Sequence, residues 1–126
     1  EIALRYCEDL TMEQVDAPAT ELYPLAQKNK ISAAVVTSQD DNTALWRTAA
    51  NWADGAGNRI DIPSNAFQKS VSGDLKVAPM CIVQRLGTQS FLVTARGFAN
   101  DTQFDANKTV TTGAEVWLQS VLTPES

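Results

Sequence analysis

The chain has 126 residues, 44% apolar and 20% charged, with a formal charge of −5 and no histidine. That length suits a single domain over residues 1–126, and the apolar content excludes a disordered tail. The acidic balance argues against a nucleic-acid partner, and the lack of histidine removes the commonest general base and zinc ligand; this weighs against an enzyme and leaves catalysis by carboxylates or lysine open, and no cofactor is expected.

Ala3, Tyr6, Cys7 and Leu10 fall at helical spacing and form one apolar stripe, so a helix is already running at the first residues. No Ser, Thr, Asp or Asn cap precedes it, so it reads either as a helix cut from a longer one or as an ordinary N-terminal helix whose first turn frays. Residues 11–30 carry Pro18 and Pro24 without clear periodicity and read as loop. The β-branched run at 31–38 (ISAAVVTS) predicts a strand, followed by a polar turn at 40–42. Thr43 then stands as the N-cap of a helix over 44–53 (ALWRTAANWA). Leu45, Ala49 and Trp52 share one face of it, with Trp46 and Ala50 beside them, and Gly55 and Gly57 end it.

Residues 59–62 read as an edge strand, because Pro63 cannot continue a central ladder, and 64–72 as a short helical turn. The apolar run at 77–86, with Pro79 near its start, and the run at 90–99 form a hairpin about Gly87-Thr88. Phe91, Val93 and Ala95 share one face of the second strand, and Leu92, Thr94 and Arg96 the other. A polar connection (NDTQFDANKT) leads to a last strand at 114–122. There Val116, Leu118 and Leu122 face the core, and Glu115, Trp117 and Gln119 face out. The expected fold class is α+β: an N-terminal helix packed on an antiparallel sheet of three to four strands, with a loop-rich middle containing a short helix. Strand–helix alternation, which a parallel sheet uses, is missing.

Cys7 and Cys81 are too far apart for a CxxC motif. They are either two separate buried thiols or one disulfide. A disulfide requires an oxidising compartment and pins the helix to the first hairpin strand.

The helix EIALRYCEDL, the middle phrase LWRTAANWA and the strands FLVTARGFAN and VWLQSVL, in that order, resemble the PilX-type minor pilins of bacterial type IV pili. Residues 94–98 (TARGF), 118–120 (LQS) and Asn51-Trp52 carry the match. The resemblance implies assembly rather than chemistry: a subunit that primes pilus polymerisation and stays at or near the tip. It implies other minor pilins and the major pilin as partners, with a tip adhesin in many species. It also implies anchoring in the inner membrane through a hydrophobic helix half, a headgroup in the periplasm, and then an extracellular pilus. That helix half, with its processed N-terminus and glutamate, is not in this sequence, so the expectation is a headgroup from which it was removed. The pair Cys7 and Cys81 differs from the C-terminal pair of major pilins.

An outward Trp117 is a natural partner anchor, unless the middle region covers it. Trp46 and Trp52 read as core. The connection with Asn100, Asp101, Gln103 and Asp105 is either a recognition loop or a solvated hairpin link. Its alternating oxygen-bearing side chains do not fit an EF-hand, since Ala106 and Thr112 replace the required glycine and glutamate. The alternatives to a minor pilin are a minor pseudopilin of a type II secretion system, a secreted carbohydrate-binding or inhibitor module, and a small secreted hydrolase using carboxylates, for which no motif stands in the sequence: Asp40 and Asp41 are adjacent in a turn, so their side chains diverge.

Overall fold

In a computed structural model, residues 2–16, 29–38, 43–62, 78–87, 90–99 and 101–123 are described. The expected loop at 17–28, the turn at 40–42, the helical turn at 64–72, Thr88 and Asn100 lie outside them. Helix α1 spans Ile2–Asp16, so it runs past the point where the loop was expected. Tyr6, Cys7 and Leu10 are buried, as a stripe at helical spacing requires. Thr11 is buried as well, and its hydroxyl donates to the Cys7 carbonyl one turn back at 2.7 Å.

Among the described residues seven strands follow: β1 (Ser32–Val36), β2 (Ile60–Asp61), β3 (Met80–Leu86), β4 (Ser90–Phe98), β5 (Gln103–Phe104), β6 (Val110–Thr112) and β7 (Glu115–Leu122). The main sheet has five strands in the order β1-β3-β4-β7, with β2 pairing with β3 beyond the end of β1. β3, β4 and β7 form an antiparallel meander. β1 runs parallel to β3, with a register irregularity between Ser32 and Val35.

This corrects the expected class. Strand dominates the described residues, and the sheet is mixed and five-stranded rather than an antiparallel sheet of three to four strands. Residues 37–79 are a long enough connection to carry the chain back for a parallel return.

The middle is also corrected. No α-helix forms over 44–53. Two 3-10 turns, Leu45–Arg47 and Ala49–Trp52, flank an extended Thr48. The carbonyls an α-helix needs are committed elsewhere. The Asn51 side-chain amide donates to the Leu45 carbonyl at 3.0 Å, and the Trp52 indole N–H donates to the Trp46 carbonyl at 3.0 Å. The cap position also differs: it falls on Ala44 rather than Thr43. The buried Gln84 of β3 instead accepts the Leu45 N–H at 2.9 Å, which seats the turn on the sheet.

Both faces of the central strands are therefore covered. On one, Cys81, Val83, Val93 and Ala95 pack against Tyr6, Cys7 and Leu10 of α1. On the other, Met80 and Ile82 pack under Trp52 of the middle segment. Cys7 and Cys81 form a disulfide with their Cα atoms 6.7 Å apart, so the first layer is closed covalently. The loop it closes is long, and the chain-entropy account gives it about 4 kcal/mol of stabilisation at most. Ser120 of β7 adds a hydrogen bond to the Glu8 carboxylate of α1 at 2.9 Å.

The edge strand β7 departs from the expected burial at one place. Leu118 and Leu122 are half-buried on the α1 side, but Val116 is 58% exposed. It pairs with Gly97, which offers no side chain to pack against.

Candidate functional site

On the sheet face away from α1, Arg96 of β4 is the hub of an aromatic cluster. Strand alternation places Arg96 beside its cross-strand partners Met80 and Trp117, all on one side. The guanidinium carbon lies 4.5 Å from the ring centre of Trp117 and 5.0 Å from those of Trp52 and Phe98. Trp117 meets Trp52 edge-on at 5.4 Å and Trp46 at 6.4 Å. The Arg96 side chain is only 3% exposed, so its charge must be answered locally. One terminal nitrogen donates to the Glu115 carboxylate at 2.8 Å and to the Lys108 carbonyl at 2.7 Å. Its Nε is buried without a hydrogen bond, and the surrounding ring faces supply the compensating negative field.

The polar connection is a small β5-β6 hairpin tied to this hub. Asp105 organises its tip: one carboxylate oxygen accepts the N–H groups of Asn107 and Thr109 at 2.9 and 3.0 Å. Lys108 takes a positive φ of 60° between them, and it is the Lys108 carbonyl that Arg96 holds. At the base of the hairpin, buried Thr102 donates to the Ala114 carbonyl at 2.9 Å. Phe104 packs edge-on against Phe98 at 4.8 Å.

A second charged group braces the middle segment. Arg59 forms a two-pronged pair with Asp61 at 2.8 and 2.9 Å, and reaches Asp54 and the Trp52 carbonyl at 2.9 Å. Burial works against the Arg59 charge, but the bonds to Asp61 and Asp54 outweigh it and raise its pKa. The Asp54 carboxyl is held below its usual value, chiefly by the Arg59 hydrogen bond and then by the charge of Lys108.

The predicted contact residues divide by this geometry. Trp117 projects from the face opposite α1. The middle tryptophans pack on it, yet it remains 41% exposed. Asp101 and Gln103 are exposed on the hairpin, and Asp105 is exposed but committed to the turn. Trp52 is buried and Trp46 half-buried. Arg96 itself was not singled out by sequence reasoning; an arginine inside an apolar strand phrase is the signal for it. A pocket of about 190 Å³ opens beside the hub, walled by Trp117, Trp52, Arg47, Asn107 and Glu115. Among the described residues, no three His, Cys, Asp or Glu side chains gather as a metal group, and no helix is long and apolar enough to cross a membrane. No family model, curated protein or solved structure matches the chain.

Proposed function

We propose that this chain is the headgroup of a minor pilin of the PilX type, a structural subunit that primes type IV pilus assembly and sits at or near the tip. The observation that carries the reading is the union of α1 with the sheet. A subunit held in a filament by its helix must present its sheet in a fixed orientation. The Cys7–Cys81 bridge, with Tyr6 and Leu10 packed on Val83 and Val93, makes helix and sheet one body. The sequence phrases support it from a separate direction: residues 94–98 form the strand that carries the Arg96 hub, and 118–120 lie in the edge strand beside it.

In this reading a hydrophobic helix half upstream of α1 sits in the inner membrane before assembly, and the headgroup faces the periplasm. The face bearing Trp117 and the β5-β6 hairpin meets other minor pilins, the major pilin or a tip adhesin. Two measurements test it. The native gene upstream of Glu1 should encode a short basic leader and an apolar segment with a glutamate at the fifth mature position. The full-length protein should co-purify with the minor pilins encoded beside it, and its deletion should lower the number of surface pili. A cleavable secretory signal ending just before Glu1 overturns the proposal.

A further inference from the structure

The outer edge of β7 carries three of the four large apolar side chains that stand exposed among the described residues: Val116 at 58%, Trp117 at 41% and Val121 at 44%. Among the described residues no strand pairs with that edge. It also lacks the usual guards. Between Glu115 and Leu122 there is no lysine, arginine or proline, and the pairing to β4 is regular along its whole length. The opposite edge is different: β1 is shorter and its register is broken.

We propose that β7 is a self-association edge: two copies of this chain pair antiparallel through β7 about a two-fold axis at Gln119, joining their sheets into one. The occupant follows from the strand's own pattern. A two-fold pairing of continuous sheets must match residues on the same face, which leaves only registers that differ by two residues. Centring on Gln119 sets Trp117 opposite Val121 of the second copy, on the Trp117 face. On the α1 face it sets Val116 opposite Leu122 and Leu118 opposite Ser120. Glu115 meets Thr123, so no like charges oppose each other. All three exposed apolar side chains thereby gain an apolar cross-strand neighbour, and an aromatic and a β-branched residue form a favourable cross-strand pair. Centring on Leu118 instead sets Trp117 opposite Gln119 and Glu115 opposite Val121. Centring on Ser120 sets Val121 opposite Gln119 and leaves Val116 beyond the paired segment. The edge is therefore self-complementary in one register.

The strand is about 27 Å long at about 3.4 Å per residue. One strand edge covers less than the roughly 800 Å² per partner of a standard interface, so the dimer is weak and reversible.

Sedimentation velocity on the 126-residue protein tests the proposal, from about 10 µM to about 1 mM, which brackets the dissociation constants of weak contacts. A reversible dimer is expected. Val121→Lys and Val116→Lys should each weaken it about tenfold or more, because an edge lysine opposes pairing. Val35→Lys, on the opposite edge, should leave it unchanged. A Gln119→Cys variant should cross-link to itself under mild oxidation, with the Cys7–Cys81 bridge retained on peptide mapping. Wild-type protein that stays monomeric across the range overturns the proposal. So does a dimer that survives both β7 lysines, or one that is lost with Val35→Lys. If a lysine variant loses its native circular dichroism, concentration-dependent amide exchange in the wild type decides: residues 115–123 must gain protection as dimer forms, and unchanged protection refutes the edge.

Discussion

Arg96 and Trp117 are direct cross-strand partners on β4 and β7, with the guanidinium carbon 4.5 Å from the indole centre. The arginine supports one face of the ring from below, and the Glu115 carboxylate holds the arginine. A side chain that is partly exposed is thus fixed by one that is almost wholly buried. Arg96→Ala removes that support and leaves the Lys108 carbonyl and Glu115 without their donor. It should cost about 2–4 kcal/mol in urea unfolding, the lower part of the range reflecting the partial exposure of Glu115. Arg96→Lys should recover only part of this, because an ammonium cannot spread over the rings as a guanidinium does.

The disulfide joins the helix layer to the central strand. Cys7→Ser with Cys81→Ser should lower the unfolding free energy by about 2–4 kcal/mol. Near-ultraviolet dichroism from the tryptophan cluster should persist below the new midpoint, since that cluster lies on the other face of the sheet.

Gly113 has a φ of 95°, and a Cβ placed there would stand 2.6 Å from the Thr102 Cα. Neither the backbone angle nor the space admits a side chain. Gly113→Ala should destabilise by about 1–3 kcal/mol. The largest amide shift changes in a nitrogen–proton correlation spectrum should fall at residues 99–114, where Ala99, Thr102 and Ala114 are hydrogen-bonded together.

Acid sensitivity has a defined sign at Asp54. Its folded pKa lies below the ordinary 3.8, so its contribution to stability is present above that value. The contribution is lost as the pH falls through the lowered folded value. Titration of the Asp54 carboxyl by carbon-detected NMR should show the depressed midpoint. Arg59→Gln should return it toward the ordinary value, because the Arg59 hydrogen bond is the largest cause of the shift.

The period-two pattern made β3, β4 and β7 legible in the sequence, and the stripe of Tyr6, Cys7 and Leu10 did the same for α1. Local spacing carries that information because it reports which face of an element is covered. It does not report which distant strand is a neighbour, so the parallel pairing of β1 with β3 was not visible. The 44–53 segment misled for another reason. Its helix formers are outvoted by the Gln84, Asn51 and Trp52 side chains, which hold or saturate its backbone. The site was half legible. An outward Trp117 followed from alternation, but Arg96 sits among apolar residues where its charge disguises a buried position. Asp105, read as a contact candidate, is engaged in shaping the turn.

The bridge between α1 and β3 also fixes how the protein responds to tension. A pull applied at the start of α1 reaches Cys7 and passes straight into Cys81. Residues 8–80 are thereby taken out of the load path and can add nothing to the extended length while the bridge is intact. The force enters a strand that is bonded on both sides, by β4 along one edge and by β1 and β2 along the other. Only the residues ahead of Cys7 and the chain beyond Cys81 can pay out under load, and reduction of the bridge would restore the rest.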